Sequence, residues 1–226
     1  MSTLTTRRSN ASTPHAPEAG DRMDQRTFHA WYDQQPEDLK AELVEGIVYM
    51  AAAMKRPHGE HHALLMTWLG TYWTTTPGTF LLDNTTSILG DESEPQPDAA
   101  LLIEGGQTHE EDDYIVGPPE FVAEVAASSR SFDLHAKKRD YERHGVQEYL
   151  VIVIHEQRVV WFVRENDKFV ELVPDTEGLL RSRLFPGLWL DPAAFFDING
   201  PRVVQILQQG LATPEHATFV ASLARS

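Results

Sequence analysis

The sequence predicts an α/β protein of the mixed α+β kind, with a core in the order helix, strand, strand, strand, helix, strand and added β-hairpins. Three observations predict it. Apolar residues recur at helical spacing between about His58 and Trp73; four short apolar runs follow; and a polar, helix-favouring stretch from Asp133 to His144 separates the last two runs. At 226 residues the chain can bury one good core.

Taken in order, residues 1–22 are polar, rich in Ser, Thr and Pro, and hold too few large side chains to offset the entropy of ordering, so they read as a disordered tail. Phe28, Trp31 and Tyr32 fall three and four apart on a short helix that Pro36 stops. Glu42 to Met50 reads as a hairpin around a Glu45-Gly46 turn. The next helix carries Leu64, Leu65, Trp68, Leu69 and Tyr72 on one stripe and ends at Pro77-Gly78. The four strand-like runs are Phe80 to Leu82, continuing towards Ile88, then Pro97 to Ile103, Phe121 to Ala126 and Tyr149 to Ile154. Gly145 closes the polar helix between the last two. VVWFVREND and KFVELV form a further hairpin, and LFPGLWLDPAAFF a last strand with a helical turn. Val203 to Leu223 is weakly amphipathic and reads as helix. The expected organisation is a tail (1–22), a domain (23–197) and a helical extension (198–226).

Composition narrows the chemistry. With no cysteine the chain has no disulfide, thiolate metal site or cysteine nucleophile, so any metal must be held by carboxylate or imidazole. There is no apolar signal segment and no run long enough to span a bilayer, which makes the cytoplasm the expected location and excludes a membrane partner. The formal charge of -15 argues against tight, non-specific attraction to nucleic acid, which relies on basic patches. It leaves room for an enzyme that holds a divalent cation between its carboxylates and a phosphate.

Two acids stand out because each interrupts an otherwise apolar run. Asp98 heads DAALLI, and Glu124 lies in FVAEVAA, on the strand face shared by Val122 and Ala126. A buried carboxylate needs a partner, and either acid alone reads more readily as a structural salt bridge or a strand-end residue. The pair, followed by Arg130, Lys137, Lys138, Arg139 and Arg143, raises the functional reading. On a helix from Asp133, the positions Leu134, Lys137, Lys138 and Tyr141 share one side, so at least one lysine points towards the sheet. A snorkelling or solvated lysine is the plain alternative. His61 faces inward near the start of its helix, where a hydrogen-bonded core histidine is the commoner outcome.

The string PPEFVAEVAASSRSFDLHAKKRDYERHGVQEYLVIV resembles the signature segment of the Uma-type restriction endonuclease family, a branch of the PD-(D/E)XK superfamily. PQPDAALLI is similar to its proline-aspartate motif, AELVEGIVYM to its opening hairpin, GEHHALL to its first core helix and LFPGLWLDPAAFF to its closing element. The likeness runs from about Thr27 to Phe196. It implies a restriction-endonuclease-like fold and a metal-dependent endonuclease that hydrolyses phosphodiester bonds of nucleic acid, with DNA the expected substrate and Mg²⁺ or Mn²⁺ the cofactor. Asp98 and Glu124 would be metal-binding acids, Glu42 would complete the metal site, and a lysine would join them. In the superfamily's basic pattern that lysine lies two residues after the second acid, where this chain has Ala126. The Uma-type relatives move it to the following helix, four residues before a tyrosine, which fits Lys137 with Tyr141 better than Lys138. Glu45, in the turn, is expected to be solvated, and His61 and Tyr141 are site neighbours. The competing readings are a nuclease-fold module that binds or regulates without cutting, favoured by the acidic charge, and an interaction protein that forms a homodimer through its hairpins and C-terminal helix.

Overall fold

A computed structural model describes residues 16–36, 38–51, 53–127, 129 and 131–225. Arg130, and the tail before residue 16, lie outside the described residues. Helix α1 (Gln25–Tyr32) opens on Asp24, whose carboxylate accepts from the Thr27 N–H at 2.8 Å as an N-cap. Its Phe28, Trp31 and Tyr32 pack on Leu43 and Val48 of the hairpin β1 (Ala41–Val44) and β2 (Ile47–Met50), forming a small core of their own. The hairpin turn has φ of 51° at Glu45 and 72° at Gly46, the left-handed pair that a two-residue turn needs. The tail boundary expected at residue 22 falls earlier. Gly20 N–H donates to Val48 O at 2.8 Å and Arg22 bridges Ile47, so residues 20–22 pair with β2.

Helix α2 (Arg56–Thr75) starts with Pro57 in its first turn and buries Leu64, Leu65, Trp68, Leu69 and Tyr72. Strands β3 (Thr79–Asp83), β4 (Ser87–Ile88), β5 (Ala99–Ile103), β6 (His109–Glu111), β7 (Tyr114–Val116) and β8 (Phe121–Ala126) follow. The single run expected from Phe80 towards Ile88 is broken at Asn84, which has φ 48°, and β4 joins a small sheet ordered β4-β7-β6. That β6–β7 hairpin is not legible in the sequence, because His109–Glu111 carries no apolar alternation. The polar helix begins with a π-helical segment (Phe132–Lys137), continues as α3 (Lys138–His144) and ends at Gly145 with φ 98°. Beyond lie β9 (Glu148–Val153), a 3₁₀ turn (Ile154–Glu156), β10 (Arg158–Glu165), β11 (Lys168–Glu171), β12 (Leu180–Arg181), β13 (Trp189–Leu190), α4 (Pro192–Phe196), α5 (Gly200–Leu211) and α6 (Pro214–Leu223).

The main sheet is ordered β11-β10-β9-β8-β5-β3, with β8 and β9 parallel and the other neighbours antiparallel. The expected core order therefore corresponds to α2-β3-β5-β8-α3-β9. Strand alternation gives β8 two different neighbourhoods. Phe121, Ala123 and Val125 join the larger core with Trp68 and Trp161, whereas Val122 and Ala126 join a second core with Tyr141 and Tyr149. Glu124 shares the second face, under the helix that carries Lys137. The C-terminal segment is helical, and Val203 and Leu207 of α5 are buried in the larger core.

Candidate active site

Four elements converge on one cleft of about 810 Å³, lined by Glu42, Asp98, Glu124, Asp133 and Lys137 among others. Asp98 stands one residue before β5, and the pairing of Ala99 with Ala123 continues in register towards Glu124 on β8. The Val125 N–H donates to Asp98 Oδ2 at 2.7 Å, and His58 Nε2, from the first turn of α2, lies 3.5 Å from the same oxygen. Lys137 Nζ is 2.7 Å from Glu124 Oε1 and 2.7 Å from Glu42 Oε1. Tyr141 donates its hydroxyl to Glu124 Oε1 at 3.1 Å, and the Gln96 N–H donates to Glu42 Oε1 at 2.7 Å. Glu124 and Lys137 retain only 5% and 3% of their exposure.

The π-helical turn explains how Lys137 comes to the site. Phe132, Asp133 and Lys137 of this segment all line the cleft, and the ammonium sits 5.4 Å from the Phe132 ring centroid. Lys138, one step on, turns away and lies over the Phe162 ring at 4.6 Å. Of the two lysines, Lys137 is the one at the cleft.

The electrostatics follow from burial and crowding. Burial pushes the Glu124 carboxyl well above the ordinary carboxylate range; Lys137 opposes this, while Asp98, Asp133 and Glu42 add to it as like charges. Burial also acts on Asp98, but hydrogen bonds from His58 and the Val125 N–H outweigh it and hold this acid below its ordinary value. Asp133 is pushed up to about 6, chiefly by burial. For Lys137, burial favours the neutral amine, yet the charges of Glu124, Glu42 and Asp133 overcome it and hold the group well above the ordinary lysine value. With these acids around it, Lys137 favours the ammonium form. Burial raises the Tyr141 phenol in the same way and keeps it a donor.

Of the other residues singled out in the sequence, His61 is placed elsewhere. Its Nδ1 bonds to Pro57 O at 2.7 Å and its ring packs near Phe195 and Phe196, because it lies on the α2 face that meets α4. Glu45 is not simply solvated: Arg139 forms a fork on it at 2.7 and 3.1 Å, tying the hairpin to α3. Three site residues escaped the sequence reading. His58 is indistinguishable there from His61 and His62, Asp133 looks like an ordinary helix-start acid, and Gln96 contributes only its backbone.

The fold implies a divalent metal, and the donor set can be tested against one. Among the described residues no group of three acidic or imidazole side chains is gathered closely enough to hold an ion. The physical reason is Lys137, whose ammonium occupies Glu42 and Glu124. Even so, Asp98 Oδ1, Glu124 Oε2 and Glu42 Oε2 have no described partner, and Glu42, Asp98, Glu124 and Asp133 crowd around one ammonium. Hard oxygen donors and uncompensated negative charge are what a divalent cation such as Mg²⁺ requires. Asp98, Glu124 and Glu42 are the residues that would hold such an ion.

A parallel-and-antiparallel sheet flanked by α2 and α3, with Asp98 facing Glu124 across neighbouring strands and a lysine from the next helix, defines a restriction-endonuclease-like fold. The family model described as "Uma2: Putative restriction endonuclease" matches residues 26–193, and the chain belongs to that family. It is also similar to a solved structure described as a "putative nuclease belonging to DUF820" from Anabaena variabilis, with a TM-score of 0.60 and 14% identity over 75% of this chain and 97% of that one. At that identity the likeness shows the fold. A search of curated proteins gave no match.

Proposed function

We propose that this protein is a metal-dependent nuclease that hydrolyses phosphodiester bonds of nucleic acid, with DNA as substrate, in the cytoplasm. One observation carries the reading: a buried ammonium, Lys137, is held between Glu124 and Glu42 in the cleft where Asp98 faces Glu124 from the neighbouring strand. Asp98 and Glu124 would hold Mg²⁺ or Mn²⁺ through the oxygens left unpartnered, and such an ion supplies Lewis-acid stabilisation of charge on the phosphate. The protein's own groups do the positioning. The Val125 N–H and His58 fix Asp98, while Tyr141 and Lys137 fix Glu124. Fixed donors of this kind need no reorganisation during reaction. Lys137, whose ammonium form the surrounding acids favour, would stabilise negative charge developing on the phosphate. Glu42, Asp98, Glu124 and Lys137 all come from one chain, so cleavage would not require a dimer.

A second reading has an observation of its own. With Lys137 spanning two acids and no three-ligand cluster, the same fold could bind nucleic acid without cutting it. Nicking of supercoiled DNA in Mg²⁺ or Mn²⁺ separates the two. The nuclease reading expects nicking by the parent and its loss in Asp98→Ala. Equal nicking by both, or none by the parent on DNA or RNA with any divalent ion, would overturn it.

A further inference from the structure

The cleft contains more than acids. Tyr49 and Phe132 meet over its floor with ring centroids 4.0 Å apart and planes inclined at 33°, and both are only half-buried. Each ring is anchored to a residue of the acid–lysine cluster. Tyr49 is the cross-strand partner of Glu42 in the hairpin, so the two side chains lie on one face. Phe132 is brought over Lys137 by the π-helical turn. Met50 and the exposed Met54 continue the apolar wall.

The charges lining the same cleft point the other way from a duplex binder. Duplex affinity depends on many lysines and arginines neutralising phosphates along the helix. Here Asp38, Glu42, Asp98, Glu124 and Asp133 line the cleft, against Lys40, Lys55 and Lys137. Lys137 is taken by two carboxylates and Lys40 donates to Asn84 Oδ1 at 2.8 Å. Among the described lining residues, Lys55 is the lysine left without such a partner. The cleft therefore offers few free cations to a phosphate backbone, and Glu124, which a substrate must approach, is almost wholly buried. Its volume of about 810 Å³ suits a small enclosed group rather than a long flat track.

Resting on the nuclease reading, we infer that the Tyr49–Phe132 pair is a stacking shelf for an unpaired base, and that the substrate is single-stranded nucleic acid or an unpaired stretch of it. Base stacking on aromatic rings is indifferent to sequence and does not require a basic groove of the length a duplex demands. The shelf would place the base beside the acid–lysine cluster.

The test uses the full chain with Ca²⁺ to measure binding and Mn²⁺ to measure cleavage, on 2-aminopurine-labelled single-stranded DNA, single-stranded RNA and the matching DNA duplex. Either single strand, or both, should bind roughly tenfold or more tightly than the duplex, with its fluorescence quenched by stacking. The strand that binds identifies the sugar preferred. Tyr49→Ala and Phe132→Leu should each weaken that binding by roughly tenfold, whereas Tyr49→Phe, which keeps the ring, should not. Thermal melts of each variant establish that it is folded, and Tyr49→Phe against parent serves as the comparison that folding cannot confound. Duplex binding as tight as single-strand binding, or folded ring-deletion variants that bind like the parent, would overturn the shelf. The two readings fail separately. Cleavage that ignores the rings leaves a nuclease without this shelf, and ring-dependent binding with no cleavage leaves the shelf without a nuclease.

Discussion

Glu124 and Glu148 lie on neighbouring parallel strands, and burial pushes both carboxyls above their ordinary range. They are held in opposite ways. Glu148 uses both oxygens on neutral donors: Oε1 accepts from the Arg183 and Leu184 N–H groups at 2.7 and 2.8 Å, and Oε2 from Ser182 Oγ and Trp161 Nε1 at 2.8 and 3.1 Å. Glu124 places one oxygen on the Lys137 ammonium and the Tyr141 hydroxyl and keeps the other without a described partner. A carboxylate that serves folding spends all its acceptor capacity on the fold. One that serves chemistry keeps part of it in reserve, and is steadied by a charge that can also act on a substrate.

The strongest way to break this comparison is at Lys137. Replacing it with Met leaves Glu124 and Glu42 facing each other without a cation, so stability at pH 7–8 should fall by roughly 3–5 kcal/mol in urea melts. The loss should be much smaller in the double variant Lys137→Met/Glu124→Gln, which removes one of the stranded charges. Additive losses would mean that the two groups are not coupled as described. Next in size is Glu148→Ala, which orphans four donors at the corner of β9, β10 and the segment before β13. It should cost roughly 3–4 kcal/mol while leaving cleavage per folded molecule unchanged.

A smaller effect sharpens the picture through pH. The Asp133 carboxyl has an ordinary value of 3.8 and is pushed up to about 6, so its contribution to stability is fully present below 3.8 and is lost as the pH rises through about 6. The parent should be up to about 3 kcal/mol less stable at pH 7 than this group alone would allow at pH 3.5. Asp133→Asn should remove that slope and be the more stable of the two at neutral pH. A parent and variant with parallel stability curves between pH 4 and 7 would contradict it. The smallest effect belongs to the exposed Arg139–Glu45 fork, where Arg139→Ala should cost no more than about 1 kcal/mol and less in high salt.

How much of this was legible beforehand differs between fold and site. The helices and main-sheet strands could be read because Leu64, Trp68 and Tyr72, or Phe121 and Ala123, repeat at the spacing their element buries. The β6–β7 hairpin could not, since nothing apolar marks His109–Glu111. Asp98, Glu124 and Lys137 were reached by an acid inside an apolar run, a lysine at helical spacing from a tyrosine, and a family resemblance. Glu148 gives the same local signal as Asp98, a carboxylate heading an apolar run. Its four donors come from residues 13 to 36 positions away, which no local pattern reveals. The π-helical turn is likewise invisible to a 3.6-residue template, yet it carries Phe132, Asp133 and Lys137, which line the cleft.

The most direct measurement compares single-turnover cleavage by Glu124→Gln and Glu148→Gln in Mn²⁺, each corrected for its folded fraction. Both changes keep the side chain's shape and remove one buried carboxyl group. The account predicts that Glu124→Gln is slower than the parent by roughly 10²–10³-fold or more, while Glu148→Gln stays within a few-fold. Equal rates for the two variants, or a greater loss at Glu148, would contradict the claim that Glu124, Asp98 and Lys137 form the active site.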